Sequence, residues 1–189
     1  MYIVMGLPGA GKTTVLKLFL ERNPEFKVIT YGDIMFEIAK QKFGIESRDD
    51  IRKKLSYNQQ RKLQLEVEKQ LIDIYDREKN IILDTHCAVK TPYGYLPGLP
   101  LRLLSKLHVK GLVLITADYS EIIKRREKDK DIRKRDADSI NELKEHDYVN
   151  RSMLSTYAVI SGAPIIILDN SQGKLEGTVE KLERLIVGE

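Results

Sequence analysis

The sequence predicts an α/β fold: a three-layer, five-stranded parallel sheet of the phosphate-loop kind, with helices on both faces. Three observations carry this. Apolar runs of strand length alternate with helical patterns along the whole chain, as in successive βαβ units. Residues 6–14 read GLPGAGKTT, two glycines with four residues between them followed by Lys-Thr, directly after the apolar run YIVM. Residues 80–84, NIILD, are apolar up to a terminal carboxylate, as a strand buried on both faces is.

Taken in order, Tyr2–Met5 is a short buried strand and 6–11 a glycine-rich turn. Lys12–Arg22 is a helix whose apolar side comes from Val15, Leu16, Leu18, Phe19 and Leu20. Lys27–Thr30 is the second strand. Residues 33–43 form a helix with Ile34, Phe36, Ile38 and Ala39, stopped by Gly44. A short helix over 48–55 precedes a long one over 58–78, where Leu63, Val67, Leu71, Ile74 and Tyr75 recur at helical spacing. After the strand 80–84, residues 88–100 are rich in Gly, Pro and Tyr and read as an ordered loop. A helix over 101–107, a strand over Gly111–Thr116, a helix over Tyr119–Lys128, a helix over 139–160, a strand over 164–168 and a closing helix over 174–187 complete the series. No repeat, low-complexity tract or linker interrupts it. The chain therefore reads as one domain, 1–189, whose single candidate subdomain is the charged segment 128–139, a possible lid.

Bulk composition excludes several classes. With 32 basic and 28 acidic side chains the net charge is +4, well short of a protein that coats nucleic acid. The one cysteine, Cys87, permits neither an intrachain disulfide nor a cysteine-based zinc cage, in keeping with a reducing cytoplasm. No apolar run approaches the ~20 residues of a membrane span. The chain opens on a core strand, which leaves no room for a signal peptide and suits a cytoplasmic location.

The glycines let the loop wrap with its amides inward, and those amides together with the N-terminus of the following helix favour bound phosphate. Lys12 can reach the β- and γ-phosphates of a nucleoside triphosphate, and Thr13 can place its hydroxyl on Mg²⁺. Asp84, at the carboxyl end of a strand, faces the ligand crevice of an open α/β sheet and reads as a metal holder, directly or through water, ahead of a simple capping role. Asp33 in YGDIM is either a helix N-cap or a polar group near the transferred phosphate. His86 could act as a base, but a phosphate acceptor is already an anion and needs none, so a hydrogen-bonded structural histidine is the simpler reading. Cys87 is most simply a small buried side chain.

Between Lys124 and Arg135 stand eight basic and three acidic residues. Phosphoryl transfer is catalysed mostly by positioning and electrostatics, which arginine forks on a closable loop supply well. A solvated charged helix end and an RNA-backbone patch are the alternatives. Arg151, on the next helix among apolar neighbours, either points back into the cleft or snorkels. No late Asn-Lys-x-Asp motif reads a guanine base, and the chain is too short for a motor or transporter ATPase. A kinase acting on a nucleotide or small molecule fits best.

Along nearly the whole chain these pieces resemble the archaeal-type adenylate kinases: GLPGAGKTT (6–14), YGDIM (31–35), RKKLS (52–56), LDTH (83–86), TPYGYLPGLP (91–100), the arginine-rich segment 125–136 and the helix ending at 158–162. TPYGYLPGLP after DTH is the most specific of them. The resemblance implies ATP + AMP ⇌ 2 ADP with Mg²⁺, a five-stranded core, an acceptor site over roughly 31–78, a lid over roughly 128–139, and an oligomer, commonly a trimer. It implies that Gly6, Leu7, Pro8, Gly9, Ala10, Gly11, Lys12, Thr13 and Thr14 hold ATP. Thr13 and Asp84, with Asp33 near the water shell, would organise Mg²⁺. Asp33, Arg52, Gln64, His86, Lys90 and Tyr95 would line the AMP side. Lys12, Arg125 or Arg126, Arg133, Arg135 and Arg151 would clamp the reacting phosphates. One position departs from the pattern: Lys90 stands where arginine is expected, and lysine brings a point charge without a bidentate fork. The competing readings are a kinase for a different small acceptor and an ATP-dependent RNA- or ribosome-assembly factor.

Overall fold

A computed structural model describes residues 1–128 and 139–188. In chain order the elements are β1 (Tyr2–Met5), α1 (Lys12–Arg22), β2 (Lys27–Thr30), α2 (Tyr31–Phe43), α3 (Arg48–Lys54), α4 (Tyr57–Arg77), β3 (Ile81–Asp84), β4 (Ala88–Thr91), β5 (Gly94–Pro97), α5 (Leu101–Leu104), β6 (Gly111–Thr116), α6 (Tyr119–Lys128), α7 (Ile140–Ser161), β7 (Ile165–Asp169) and α8 (Leu175–Ile186). Five strands make one parallel sheet in the order β2-β3-β1-β6-β7. The first strand of the chain thus lies in the middle. In register, Val4 of β1 and Thr30 of β2 flank Asp84 of β3, so the carboxyl ends of these strands open at one level.

Strand alternation sorts the core into two halves. Ile3, Met5, Leu83, Leu112 and Leu114 face one side and pack with Tyr31, Ile38, Leu63, Val67, Leu103, Leu154 and Tyr157 from the helices there. Tyr2, Val4, Ile82, Val113, Ile115 and Leu168 face the other and pack with Val15, Leu16, Phe19, Ile122, Val179 and Leu182. Each sheet face is therefore covered, which is why the central strands read as unbroken apolar runs.

Helix starts follow side-chain chemistry. Ser56 opens α4 and Ser139 opens α7 with capping boxes: each serine hydroxyl accepts from the backbone N–H three residues on, and Gln59 or Glu142 reaches back to the serine N–H. Gly44 and Gly162 end α2 and α7 in the left-handed conformation.

Four expectations are corrected. The segment 88–100 is not only a loop: β4 and β5 form an antiparallel hairpin that stands apart from the central sheet, with Gly94 in its turn at φ 102°. Alternation in AVKT and GYLP is too short to stand out beside so many turn residues. Asp33 is not the N-cap of α2. The helix begins at Tyr31 behind Thr30, and Asp33 sits within its first turn, where a carboxylate still complements the helix dipole. The helix after Pro100 stops at Leu104 rather than 107, because Ser105 bonds back to Arg102 and the chain turns so that Leu107 can bury. The strand expected from residue 80 starts at Ile81, since Asn80 takes φ 55° and its carbonyl accepts from Lys27 N–H.

Candidate active site

The phosphate loop runs from the end of β1 to the start of α1, and its conformation needs glycine for steric reasons. A Cβ at Gly6 would lie 2.3 Å from the Ile115 carbonyl oxygen of the neighbouring strand, so the loop leaves the sheet too close to β6 for any side chain. Gly11 caps α1 at φ 91°, and a Cβ there would meet the Asn170 amide at 2.2 Å. No side chain caps this helix, and its first amides face the loop. Leu7 and Ala10 are buried in the core, while Thr13 and Thr14 are exposed at the mouth.

Lys12 is the first residue of α1, and its ammonium turns back over the loop. Nζ lies 3.5 Å from the Gly6 carbonyl, 3.7 Å from Asp84 Oδ1 and 3.5 Å from His86 Nδ1. His86 Nδ1 is itself 2.8 Å from the same Gly6 carbonyl. A carbonyl oxygen only accepts, so Nδ1 carries the proton and donates it there. His86 therefore secures the first turn of the phosphate loop to the end of β3, where Thr85 N–H also donates to the Val4 carbonyl. The structural reading of His86 fits this geometry.

The arginines flanking the loop engage its outward carbonyls. Arg126, buried, donates from Nε to the Pro8 carbonyl at 2.8 Å, and its stem packs under Gly9. Arg125 donates to the Ala10 carbonyl at 3.3 Å, to the Asn170 carbonyl at 3.0 Å and to Glu121 at 2.9 Å. Asn170 Nδ2 adds a second donor to the Ala10 carbonyl at 3.0 Å. A loop whose amides turn inward leaves its carbonyls outward, and these three side chains satisfy them. On α7, Arg151 Nε donates to Asp147 at 2.8 Å, and Tyr119 OH donates to the same carboxylate at 3.0 Å. Burial, then that bond to Asp147, raises the Tyr119 pKa. These residues, with Leu7, Ala10 and Thr116, line an open cleft beside the loop. Arg133 and Arg135 lie outside the described residues.

Gln64 of α4 donates to the Pro97 carbonyl at 3.2 Å, tying α4 to the hairpin. Lys90 and Tyr95 are cross-strand partners in that hairpin. Lys90 Nζ donates to Glu142 at 3.4 Å and Tyr95 OH to Glu145 at 3.1 Å, both on α7. Arg52 donates to Asp49 within α3, and Asp33 pairs with Arg48. The residues expected to line the AMP side are thus spread over α2, α3, α4, the end of β3 and the hairpin.

For a metal, the informative atom is Asp84 Oδ1, which is buried and receives no hydrogen bond. Among the described residues no three His, Cys, Asp or Glu converge as a cage. Mg²⁺ keeps most of its waters and takes one or two protein ligands plus phosphate oxygens. The pair Asp84 and Thr13 fits that demand.

Comparison with known proteins agrees with this geometry. A family model described as an AAA domain matches residues 5–144. The adenylate kinase of Methanopyrus kandleri is 40% identical over 179 residues, covering 95% of this chain and 93% of the relative. The chain belongs to the adenylate kinase family. The adenylate kinases of Thermoplasma acidophilum and Methanocaldococcus jannaschii are 36% and 39% identical, each over 184 residues, covering 97% and 95% of this chain and 97% and 94% of the relatives. Among solved structures, shikimate kinase from Aquifex aeolicus aligns over 100% of this chain and 97% of that one, with TM-score 0.58 and 20% identity. Shikimate kinase from Bacteroides thetaiotaomicron aligns over 98% and 97%, with TM-score 0.57 and 18% identity. Both show the fold alone.

Sequence reasoning passed over Asn170, Asp147, His146, Asn150 and Tyr157 in this adenylate kinase family member. Asn170 follows the last strand at its carboxyl end, the level at which an open α/β sheet meets its ligand, and that signal was available. The polar residues of α7 sit in a helix whose pattern reads as ordinary amphipathicity, and nothing local distinguishes them.

Proposed function

We propose that this chain catalyses the reversible transfer of the γ-phosphoryl group from MgATP to AMP, giving two ADP. Full-length similarity to adenylate kinases supports it, and the observation that carries it is the convergence of Lys12 Nζ, Asp84 Oδ1 and the Gly6 turn at the open end of the sheet. In this reading the loop amides of residues 6–14 cradle the donor phosphates, and Lys12 leaves the Gly6 carbonyl for their β- and γ-oxygens. Thr13 and Asp84, partly through water, would hold Mg²⁺, which when bound would neutralise phosphate charge. Asp33 would help to organise its water shell. An oxygen of the AMP phosphate forms a bond to the γ-phosphorus as the bond to the β–γ bridging oxygen breaks, so no base is needed and charge alone must be managed.

Arg52, Gln64, His86, Lys90 and Tyr95 would frame AMP, over an acceptor region at about 31–78 and the hairpin. Arg125, Arg126 and Arg151, joined by Arg133 and Arg135 of a lid at about 128–139, would supply cations to the transferring group. Arg125 and Arg126 already brace the outward loop carbonyls, which holds the inward amides in place for the donor phosphates. A cytoplasmic, self-associated protein, commonly a trimer in the family, completes the reading. No helix among the described residues is long and apolar enough to cross a membrane. The deciding experiment supplies MgATP with AMP, GMP, CMP or UMP in turn and follows diphosphate formation. Turnover with AMP alone is expected. Turnover with another monophosphate only would reassign the acceptor. Slow hydrolysis of ATP with none of the four would favour an ATP-gated RNA factor.

A further inference from the structure

The hairpin β4–β5 does not pair with the central sheet, so something else must fix its position. Its stem is held by one stripe of α7. His146 donates from Nε2 to the Ala88 carbonyl at 3.1 Å, and Ala88 N–H donates to Asn150 Oδ1 at 2.8 Å. Tyr157 OH donates to the Cys87 carbonyl at 2.7 Å and accepts from Leu99 N–H at 3.3 Å. All three side chains are buried, Asn150 completely. The residue opposite Ala88 is Pro97, which has no N–H to offer, and its carbonyl is taken by Gln64. Side chains from α7 thus hold both Ala88 backbone groups and add a second donor to the Cys87 carbonyl, which also accepts from Gly98 N–H at 2.8 Å.

The adjacent positions on the same helix serve the other side. Asp147 and Arg151 are each one residue beyond His146 and Asn150, which turns them by about 100° around the helix axis, into the donor cleft beside Tyr119. One rigid rod therefore carries both the stem of the acceptor-side hairpin and the wall of the donor cleft. Asn150 Oδ1 takes the Ala88 N–H while its Nδ2 is buried with no hydrogen-bond partner, so a leucine of similar volume would trade one unpaired buried donor for another, and what it would lose is the tie to the hairpin.

We propose that His146 and Asn150 are positioning residues that set the acceptor-side hairpin, and with it Lys90 and Tyr95, relative to the donor phosphates; this rests on the reading of that hairpin as the AMP side. They act through the Ala88 backbone, and His146 also through its ring, whose centroid lies 5.2 Å from that of Tyr95. Misplacing a binding loop by about 1 Å is enough to cost on the order of a hundredfold in rate.

The test compares Asn150→Leu, His146→Leu and His146→Gln with the unaltered protein in steady-state kinetics, with melting temperature and AMP binding measured alongside. Asn150→Leu removes one unpaired donor and leaves another, Ala88 N–H, so its melting temperature should move little. KM for AMP is expected to rise about tenfold or more in both leucine variants while KM for ATP stays within about twofold. His146→Gln, which keeps an amide N–H near the position of Nε2, should restore most of the AMP affinity. Equal changes in both KM values, or none in a folded variant, would overturn the proposal. If the leucine variants do not fold, Tyr157→Phe, which deletes only the stem hydroxyl, carries the same expectation. Tyr95→Phe and Lys90→Ala keep the two readings apart. If these leave AMP binding untouched, the hairpin is not the acceptor side; if they weaken it while the α7 variants do not, only the positioning role fails.

Discussion

Lys12 holds two interactions that a bound nucleotide would replace, with the Gly6 carbonyl and with Asp84. Lys12→Ala should therefore fold normally and lose phosphoryl transfer by a factor on the order of a thousand, about 4 kcal/mol of transition-state stabilisation, read from single-turnover ADP formation. Gly6→Ala is expected to be worse for the fold than for the chemistry. Its Cβ meets backbone of β6 rather than a side chain that could turn aside, so the variant should lose nucleotide binding and melt well below the parent. Cys87 illustrates the opposite case, a reactive residue type made inert. Burial raises its thiol pKa to about 12, against which the nearby Lys12 charge acts only weakly. In the native protein at pH 8 it should not react with a thiol reagent, and should react fully once unfolded. A fast native reaction would mean the core around β3 opens readily.

At the scale of elements, α7 depends on its first turn. Ser139→Ala removes the cap that Glu142 N–H donates to, and should cost about 1 kcal/mol of stability, seen in chemical denaturation. The connection from β7 into α8 is pinned by Asp169, whose carboxylate pairs with Lys174 and accepts from the Ser171 hydroxyl and N–H. The Lys174 bond, then Ser171, lowers the Asp169 pKa to about 2. A depressed carboxylate stabilises the fold above its unfolded pKa and loses that contribution as pH falls through the folded value. The melting-temperature difference between the parent and Asp169→Asn should therefore be constant near neutral pH and vanish between about pH 4 and pH 2. The group is largely exposed, so the effect is small. Elements also show what was legible in advance. β1, β3 and β6 were plain because a two-sided burial leaves no polar interruption, and the phosphate loop was plain because its glycines answer to local backbone geometry. The hairpin was not, since its strands are stabilised by α7, some fifty residues away, rather than by their own pattern. For the same reason the ties of Lys90 and Tyr95 to Glu142 and Glu145 leave no trace in the local sequence.

Over the whole molecule, charge is unevenly spread. From Ser152 to Leu168 the chain has no charged residue, although 32% of all its residues are charged. This stretch includes the end of α7 and the strand β7 at the sheet edge, where Val159 is 85% and Ile167 52% exposed. An apolar edge strand without a lysine or proline to blunt it invites pairing, and self-association through this face is the expectation. Light scattering coupled to gel filtration should give a multiple of the 21.8 kDa chain, and Val159→Lys with Ile167→Lys should reduce it to one. A monomer in the unaltered protein would show that the face stays open.

The placement of β1 has a consequence for how the protein is made. Tyr2 pairs with Ile82 on one side and with Gly111 on the other, so during synthesis this strand waits for partners eighty and more than a hundred residues later. Gly6 reaches its final geometry only against Ile115, and the Ala10 carbonyl only against Asn170. The phosphate loop is thus synthesised well before the segments that complete it. During synthesis a bound nucleotide cannot guide the early chain; it can only reward the finished one.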